Sequence, residues 1–474
     1  QPIALVVAET EAIATEAVKK ITVEIDPLPI ITDPRIAAEN GELFFPPRIF
    51  RIGDSQVVFV NCKYVFEGKA ETNGQEHLYI ETQGAYAYPV ENEGIHIFSS
   101  TPGPTAVQRT AARVLGISMN KIEVEVTRLG GGFGGKEDQA STWGVFAALA
   151  AYHLQRPVKC VLHRLEDMRM TGKRNPYSSD YKIGLDENLN IIAYETIFFQ
   201  NSGAAADLSP AVLDRTLFHT TNSYFIPNVT ATGYSCRTNL PPNTAFRGFG
   251  GPQGMFVIEA AIHHAARELD VDASIIQQKN LLKKGDEFPY GQLAGGDEAW
   301  LCWQEAVERY DLESIREDIH RFNMEHEYVK KGLALMPICF GISFTNTSMN
   351  QARALVHVYS DGSVGVSTGA VEMGQGVNMK MLQVAAKTFG IPIEKVKLET
   401  TNTSRVANTS PSAASSTADL NGKALEDACL QILRRLETVA AGLVGSTPFT
   451  VSWGAPFTAD GGVNAAPQNS LKAV

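Results

Sequence analysis

The residues best suited to chemistry lie in four short loops rich in glycine or small hydroxyl side chains. The sequences of these loops are GGGFGGKE (130–137), AFRGFGG (245–251), EMGQG (372–376) and TSPSAASS (409–416). Such loops expose main-chain N–H groups, which can bind anionic or polar ligands. Each loop is followed by a sequence with helical spacing. This arrangement favours one extended polar cofactor held by main-chain donors over four unrelated turns.

The first loop invites comparison with a nucleotide-binding loop. Gly130, Gly135 and Lys136 fit the spacing G-x-x-x-x-G-K, but Glu137 stands where Ser or Thr would hold magnesium. A carboxylate there would lie close to a bound triphosphate, so a P-loop ATPase is disfavoured. The structural alternative is a tight loop that needs glycine only for positive φ.

The elements around these loops alternate between strand and helix patterns. Residues 1–26 predict strand, helix and strand, followed by a Pro-rich linker with Pro27, Pro29 and Pro34. Segments 57–68, 77–90 and 94–100 are predicted to be strands. Segment 105–117 has a helical apolar stripe, made of Val107, Ala111, Val114 and Leu115. An α/β or α+β protein with at least two layers is expected.

Composition excludes several classes of function. The chain has 474 residues, of which 44% are hydrophobic and 20% charged, and its net charge of −11 argues against nucleic acid as a partner. No run of 18 apolar residues is present, so no membrane partner is expected. Six cysteines lack C-x-x-C spacing, which indicates a reduced, cytoplasmic compartment and excludes an iron–sulfur cluster held by this chain. A basic cluster, Arg164, Arg169, Lys173 and Arg174, is predicted to form a solvated face.

Together, the four motifs and their order resemble the large, molybdenum-binding part of the xanthine dehydrogenase and aldehyde oxidase family. The stretches LDRTLFHTTNSYFIPN (213–228) and GISFTN (341–346) fit the same family, and the resemblance covers roughly residues 1 to 440. It implies an α+β, multi-domain molybdopterin-binding fold with mixed sheets and packed helices. The implied domains are 1–35, the end of an N-terminal α/β domain with its linker, then 36–285 and 286–440, two molybdopterin-binding domains, and 441–474, an unmatched tail.

The resemblance implies molybdenum and molybdopterin as cofactors, and hydroxylation of an electron-poor carbon with oxygen taken from water. Iron–sulfur clusters and FAD would lie on partner domains or chains. The implied cofactor-binding residues are Gly132, Phe133, Gly134, Arg247, Gln375, Ala413, Ala414 and Ser415. Among these, Phe133, Arg247 and Ala414 would bring backbone groups close to molybdenum, and Gln375 would donate its amide to the pterin. A Gln that merely closes a turn is the alternative for Gln375.

Two charged residues decide the expected substrate. The resemblance implies catalytic and substrate-binding roles for Glu137 and Arg215 in the xanthine dehydrogenase branch, which acts on purines or related N-heterocycles. Glu137 could share a proton with a ring N–H, and Arg215 could stabilise negative charge on a carbonyl oxygen. An aldehyde offers neither group. The structural alternatives are a carboxylate at a helix start for Glu137 and a surface ion pair with Asp214 or a neighbour for Arg215.

The other residues implied to bind substrate are Phe249, Phe344 and Thr345, the two rings being suited to clamp a flat molecule. Two departures from the family pattern stand out. Pro102 replaces a glutamine that would hydrogen-bond an oxo ligand, and no residue matches the general base, a glutamate in a Gly-Glu segment. The alternatives are therefore an aldehyde or other aromatic hydroxylase, or a truncated non-catalytic relative. A further chain carrying the missing C-terminal part is another expected partner.

Overall fold

The computed structural model describes residues 2–445. The helices are α1 (Glu11–Val18), α2 (Pro34–Glu39), α3 (Ser55–Val58), α4 (Pro104–Leu115), α5 (Ala140–Leu154), α6 (Arg164–Met170), α7 (Ser209–Phe218), α8 (Gly251–Glu268), α9 (Ala273–Lys279), α10 (Glu298–Arg309), α11 (Leu312–Glu325), α12 (Val377–Phe389) and α13 (Thr417–Val444). The strands are β1 (Arg48–Ile52), β2 (Tyr64–Thr72), β3 (Gly84–Val90), β4 (Gly94–Ser99), β5 (Ile122–Val126), β6 (Val158–Val161), β7 (Tyr177–Leu185), β8 (Ile191–Gly203), β9 (Val229–Arg237), β10 (Ala354–Val358), β11 (Val364–Thr368), β12 (Val396–Leu398) and β13 (Thr401–Asn402).

These elements form two compact units that are interleaved along the chain. The first unit comprises residues 2–25, 77–171 and 342–445, and the second comprises Asp26–Glu76 and Gly172–Gly341. Among the described residues, the first unit has two sheets and the second has one, and each unit has its own apolar core.

The first unit contains a five-stranded sheet in the order β13-β5-β4-β3-β6. Strand β5 alternates buried and half-buried residues, as expected when one face of a strand is covered. Ile95 and Ile97 of β4 pack against α4 and α5, whose buried stripes include Val107 and Ala147. Helix α4 ends at Leu115, and Gly116 follows it with a φ of +69°, which allows the left-handed cap. This sheet positions the Gly130–Glu137 loop, because that loop joins β5 to α5.

A smaller sheet in the same unit has the order β10-β11-β12, and α12 and α13 cover it. Its core includes Val366 of β11, Met381 of α12 and Leu425 of α13, all fully buried. The 372–376 loop joins β11 to α12, and the 409–416 loop precedes α13. Two of the candidate loops are therefore anchored on this sheet and its helices.

The second unit contains a five-stranded sheet in the order β1-β9-β8-β7-β2. Helices α7 and α8 pack on it, with Leu213 and Ile258 buried in the shared core. The β8–β9 pair is parallel, and the other pairs are antiparallel. Parallel and antiparallel pairs also coexist in both sheets of the first unit. The prediction of an α+β protein with mixed sheets and packed helices is confirmed.

Several local predictions were wrong. Residues 2–8 and 21–25 form no strand, although α1 between them is present. Ile3 and Ile25 are exposed, and nothing in the described part of the chain pairs with these segments, which a strand requires. Segment 57–68 begins as α3 and a short 3-10 turn rather than a strand. In α4, Val114 faces solvent, whereas Val107 and Ala111 are buried as predicted.

All six cysteines are free thiols. Between residues 2 and 445, no helix has both the length and the apolar character needed to cross a membrane.

Candidate cofactor and substrate site

A buried charge pair within the first unit holds the Gly130–Glu137 loop in place. Lys136 is fully buried, and its Nζ lies 2.9 Å from Oε2 of Glu81. The same carboxylate oxygen accepts from the Gly130 N–H at 3.0 Å. Burial lowers the pKa of Lys136, and the hydrogen bond and charge of Glu81 oppose that shift. The ammonium points inward, so the P-loop interpretation is wrong: this lysine cannot reach a phosphate on the loop.

The loop backbone adopts conformations that side chains disfavour. Gly131 and Gly134 have φ of +93° and +99°, and Phe133 between them has φ of +50°. A Cβ at Gly135 would lie 2.8 Å from the His77 ring, so only glycine fits there. A bulky residue with positive φ is an outlier that persists only where its surroundings enforce it, and such residues cluster at ligand sites. Phe133 is 48% exposed, so burial of its ring does not explain its conformation.

Hydrogen bonds join this loop to the 372–376 loop, and the 372–376 loop to the 409–416 loop. The Leu129 N–H donates to the Glu372 carbonyl at 2.9 Å, and the Val371 N–H donates to Oγ of Ser412 at 2.7 Å. A Cβ on Gly132 would lie 3.3 Å from the sulfur of Met373. Three of the four predicted loops therefore meet in the first unit.

A further segment, Thr101–Gly103, closes these contacts into a ring. The Ser412 N–H donates to the Pro102 carbonyl at 2.9 Å, and Oγ1 of Thr101 donates to the Lys136 carbonyl at 3.1 Å. Pro102 is buried. It lacks the side-chain donor of the family glutamine, but its carbonyl has a structural role in this ring of loops.

The 372–376 turn is organised by a carboxylate that sequence reasoning missed. Glu372 accepts from the N–H groups of Gly374, Gly376 and Asn378 at 2.8–3.0 Å. Burial alone would raise the pKa of Glu372, but these backbone donors outweigh it and lower that pKa. The position of Glu372, directly before Met-Gly-Gln-Gly, was the available signal.

Gln375 is exposed, and its side chain contacts its own turn. Its Nε2 donates to the Val371 carbonyl at 2.9 Å, and its Oε1 accepts from the Met373 N–H at 2.6 Å. These are the contacts expected of a turn-closing glutamine. One amide hydrogen remains after the Val371 bond. The pterin role of Gln375 stays a prediction.

In the 409–416 loop, two consecutive residues have left-handed backbone conformations. Ala414 and Ser415 have φ of +56° and +52°. The Ala414 carbonyl accepts from the Ser343 N–H at 2.8 Å. This bond brings the segment containing Phe344 and Thr345 to the loop, and both side chains are half-buried. Ala413 is half-buried, and Ser415 is exposed.

Glu137 ends the glycine loop and is 8% exposed. Helix α5 begins at Ala140, with Gln139 as its N-cap and no side-chain capping bond. Glu137 therefore lies just before the N-cap of α5, and both its substrate role and the alternative of a carboxylate at a helix start stay predictions.

In the second unit, α7 carries Arg215 in a buried position. Arg215 is 7% exposed, and its Nη1 donates to the Gly341 carbonyl at 2.7 Å. Burial lowers the pKa of Arg215, although a guanidinium stays protonated near neutral pH. Asp214 pairs with Arg48 instead. The alternative of a surface ion pair between Arg215 and Asp214 is wrong.

The 245–251 loop packs closely on α7. A Cβ on Gly250 would lie 2.2 Å from the Val212 carbonyl, and φ there is +116°, so glycine is required. Phe249 precedes it with φ of +58° and is half-buried. Arg247 is exposed. Close packing of Gly250 thus places Phe249 and Arg247 beside the helix that carries Arg215.

The prediction that the basic cluster forms a solvated face is wrong for Arg174, which is buried. It is 7% exposed, and its Nη2 donates to the Arg247 carbonyl at 2.7 Å. Its guanidinium lies 4.2 Å from the centre of the Phe246 ring. Burial lowers the pKa of Arg174 to about 10. This arginine fixes the backbone of the 245–251 loop, which no spacing in the sequence indicated.

The three loops of the first unit fit a polar group held mainly by main-chain donors. Gly374 and Gly376 have positive φ, and a Cβ at either would meet nothing within 4 Å. Phe133, Phe249, Ala414 and Ser415 are four non-glycine residues with positive φ, and all lie in the predicted loops. Open glycines and enforced backbone conformations are the features expected where main chain approaches a ligand.

Comparison with protein families supports the same interpretation. Residues 40–281 match one family of molybdopterin cofactor-binding domains, and residues 305–472 match a second family with the same description. The chain is 42% identical to xanthine dehydrogenase/oxidase of Mus musculus over 436 residues, which cover 92% of this chain and 33% of the relative. It is 40% identical to xanthine dehydrogenase of Dictyostelium discoideum over 438 residues, 92% of this chain and 32% of the relative. The chain thus spans about a third of the length of these curated relatives.

Solved structures share the fold at lower identity. The aldehyde oxidoreductase of Desulfovibrio gigas matches with a TM-score of 0.80 and 22% identity, over 93% of this chain and 50% of that one. Quinoline 2-oxidoreductase of Pseudomonas putida 86 matches with a TM-score of 0.81 and 21% identity, over 94% and 59%.

The fold, the loops and these matches define a molybdopterin-binding protein. More specifically, the chain belongs to the xanthine dehydrogenase family and corresponds to its molybdenum-binding part.

Proposed function

We propose that this chain is the molybdopterin-binding part of an oxidoreductase that hydroxylates a purine or related N-heterocycle of the xanthine or hypoxanthine type. The observation that carries the proposal is the ring of loops in the first unit, with strained residues at the positions that the family resemblance assigns to the cofactor. Identity of about 40% to xanthine dehydrogenases over 92% of the chain supports the substrate class.

When bound, the molybdenum–pterin group supplies the oxygen-transfer and redox chemistry of the reaction. A carbon–hydrogen bond is replaced by a carbon–oxygen bond with oxygen from water, and two electrons and two protons leave. The residues proposed to hold the group are those of the glycine loop (Gly132, Phe133 and Gly134), Arg247, Gln375 and the Ala413–Ser415 segment. Their contribution is chiefly main-chain hydrogen bonding, for which the enforced backbone conformations prepare them.

Glu137 is proposed to recognise the heterocycle. A purine carries ring N–H groups that a carboxylate can accept from, or share a proton with. The carboxylate is largely removed from water, which strengthens such a bond relative to one in bulk solvent.

Arg215 is proposed to stabilise negative charge that develops on a substrate carbonyl oxygen. Its guanidinium is buried and positioned by the Gly341 carbonyl, so little reorganisation is needed during the reaction. Phe249, Phe344 and Thr345 are proposed to contact the flat ring of the substrate. Rings of this kind bind planar molecules through face or edge contacts.

The electrons are proposed to leave through iron–sulfur clusters and FAD on partner domains or chains, in a cytoplasmic, multi-subunit enzyme. The general base is proposed to come from sequence outside this chain. These partners follow from the family resemblance and from the short share of the relatives that this chain spans.

The test is metal and pterin analysis after expression with partner subunits in a host that makes the cofactor. We expect near-stoichiometric molybdenum and pterin, and turnover of xanthine or hypoxanthine with an artificial electron acceptor. Full cofactor loading with turnover of aldehydes alone would favour the aldehyde-hydroxylase alternative. Absence of both molybdenum and pterin in that sample would refute the proposal and leave the non-catalytic relative.

A further inference from the structure

A second cluster of ligand-type side chains lies in the first unit, on the sheet that contains β4 and β5. Ile95 and Ile97 of β4 face the core under α4 and α5, so the intervening His96 faces the opposite side of the sheet. In the parallel β4–β5 register, His96 is paired with Glu123, and Glu125 is two residues further along β5. The alternation of the strand therefore puts His96, Glu123 and Glu125 on one face.

The three side chains are close enough to share one ion. Nδ1 of His96 lies 3.6 Å from Oε1 of Glu123, and Nε2 lies 3.3 Å from Oε2 of Glu125. One potential ligand atom from each residue can be chosen so that all lie within 4.8 Å of one another. It is the one such group of three or more that the described residues contain.

The imidazole of His96 is buried without a hydrogen bond for Nε2. His96 is 9% exposed, and Nε2 has no hydrogen-bond partner in the described part of the chain. The 3.3 Å approach to Glu125 is an ion-pair distance, but the N–H direction does not suit a hydrogen bond. A buried ring nitrogen in this state calls for an explanation, and an absent ion is one of them.

Neighbouring side chains fix the position of the ring. It stacks on Tyr88 with centroids 5.1 Å apart and planes inclined by 11°, and it lies 4.8 Å from the Phe98 ring. These contacts hold the imidazole near the two carboxylates without using either ring nitrogen.

The two carboxylates are also oriented by hydrogen bonds. Nδ2 of Asn402 donates to Oε1 of Glu123 at 2.5 Å, and Oγ1 of Thr400 donates to Oε1 of Glu125 at 2.6 Å. The Asn402 side chain is itself fixed, because its Oδ1 accepts from the N–H and the hydroxyl of Ser404. Outer contacts of this kind orient the ligands of protein metal sites.

We propose that His96, Glu123 and Glu125 bind a divalent transition-metal cation of the Zn²⁺ type, separate from the molybdopterin loops. One histidine nitrogen and two carboxylate oxygens form a ligand set that zinc accepts, with water in the fourth position. Bonds of about 2.0–2.1 Å separate tetrahedral ligand atoms by about 3.3–3.4 Å. Side-chain shifts below about 1.5 Å therefore convert the present triad into a site. The Glu123 side chain is 38% exposed, which gives the ion a path from solvent.

The ion would link distant parts of the chain. Asn402 and Thr400 belong to the segment that forms β13 beside β5, so the site would fix β4, β5 and that segment to one another. The competing explanation is an ion-paired cluster of His96 and the two carboxylates, with no metal ion. It predicts no metal binding at this position.

The test is titration of the full, metal-stripped chain with Zn²⁺ by calorimetry, and with Co²⁺ by absorption spectroscopy. Co²⁺ spectra distinguish nitrogen and oxygen ligands from the thiolates of the six free cysteines, because thiolates add a charge-transfer band. We expect one cation per chain without that band. Loss of a residue that only orients a metal ligand typically weakens metal binding by roughly 10- to 100-fold. H96Q, E123Q and E125Q each remove a ligand, so each should weaken Zn²⁺ binding by more than that.

The matched control is H163Q, which removes an exposed histidine whose Nε2 lies 2.7 Å from Oε1 of Glu11. It should bind the cation as the wild type does. H96Q removes a buried ring and could prevent folding. In that case the comparison of metal binding between wild type and the isosteric variant E125Q decides the test. Zn²⁺ should also raise the melting temperature of the wild type and of H163Q, but not of E125Q. Binding that is equal in wild type and E125Q, or no binding at all, would overturn the proposal.

Discussion

The ammonium of Lys136 lies 2.9 Å from the carboxylate of Glu81 and is wholly removed from solvent. The pair fastens the glycine loop at both ends, since Glu81 also accepts from the Gly130 N–H. Lys136 therefore stabilises the conformation of the loop and does not bind a charged ligand.

The substitution K136M should destabilise the first unit by about 1.5–3 kcal/mol, because a hydrogen bond to a charged group is lost and Glu81 keeps part of its hydration. Urea unfolding of the full chain measures this change. K121M is the matched control: it removes an exposed lysine paired with Glu93 and should alter stability little. Equal effects of the two substitutions would contradict the structural role of Lys136.

Glu372 should make stability depend on pH in the acid range. Its pKa is lowered in the folded state from an ordinary value of 4.5, so its contribution is fully present above about pH 4.5 and is lost as pH falls through the lower folded value. E372Q should be less stable than the wild type by about 2 kcal/mol at neutral pH. The difference should shrink toward zero in acid. Urea unfolding across pH tests this, and a constant difference would argue against the carboxylate's role.

Ala414 has φ of +56°, where glycine is preferred. A414G should leave stability unchanged or raise it by up to about 1 kcal/mol, because relief of strain offsets the greater flexibility of the unfolded chain. A414V should destabilise the protein and reduce the pterin that it retains, since a branched side chain tolerates this conformation poorly. Melting temperature and released pterin are the two measurements. A valine variant with full pterin content would mean that the loop conformation is dispensable.

Substitution of Glu137 should reduce the turnover of purines more than that of aldehydes. E137Q keeps the size of the side chain but removes the acceptor charge, so kcat/KM for xanthine should fall about 10²-fold or more. Turnover of an aromatic aldehyde should change much less. The comparison requires enzyme with measured molybdenum content. A parallel loss for both substrates would indicate damage to the loop instead of lost recognition.

Arg215 should be required for catalysis even when a positive charge is kept. R215K retains the charge but loses the planar fork, and R215M loses both; we expect kcat/KM for xanthine to fall by about 10²–10³ in R215M. R237M, at an exposed arginine paired with Glu42, is the control and should keep wild-type activity. Because Arg215 also binds the Gly341 carbonyl, melting temperatures must accompany the rates. A folded R215M enzyme with normal kcat would exclude the proposed role.

The positions of the four loops could be predicted from sequence, because glycine spacing and the following helical patterns are local signals. The inward direction of Lys136 could not, since it depends on Glu81, which is 55 residues away. Arg174 looked like a surface residue in a charged run, but it is buried and contacts Gln75 and the 245–251 loop, which are distant from it in sequence. Residues 3–7 have strong strand propensity, yet propensity without a partner strand gives no sheet.

The interleaving of the two units has a consequence for the order in which the protein folds during synthesis. The second unit has all of its residues once Gly341 has emerged from the ribosome. The ring of loops in the first unit cannot close until Ser412 has emerged, because the Val371 and Pro102 contacts both depend on it. The three candidate cofactor loops of the first unit are therefore joined only after the second unit, which carries the 245–251 loop, has all of its residues.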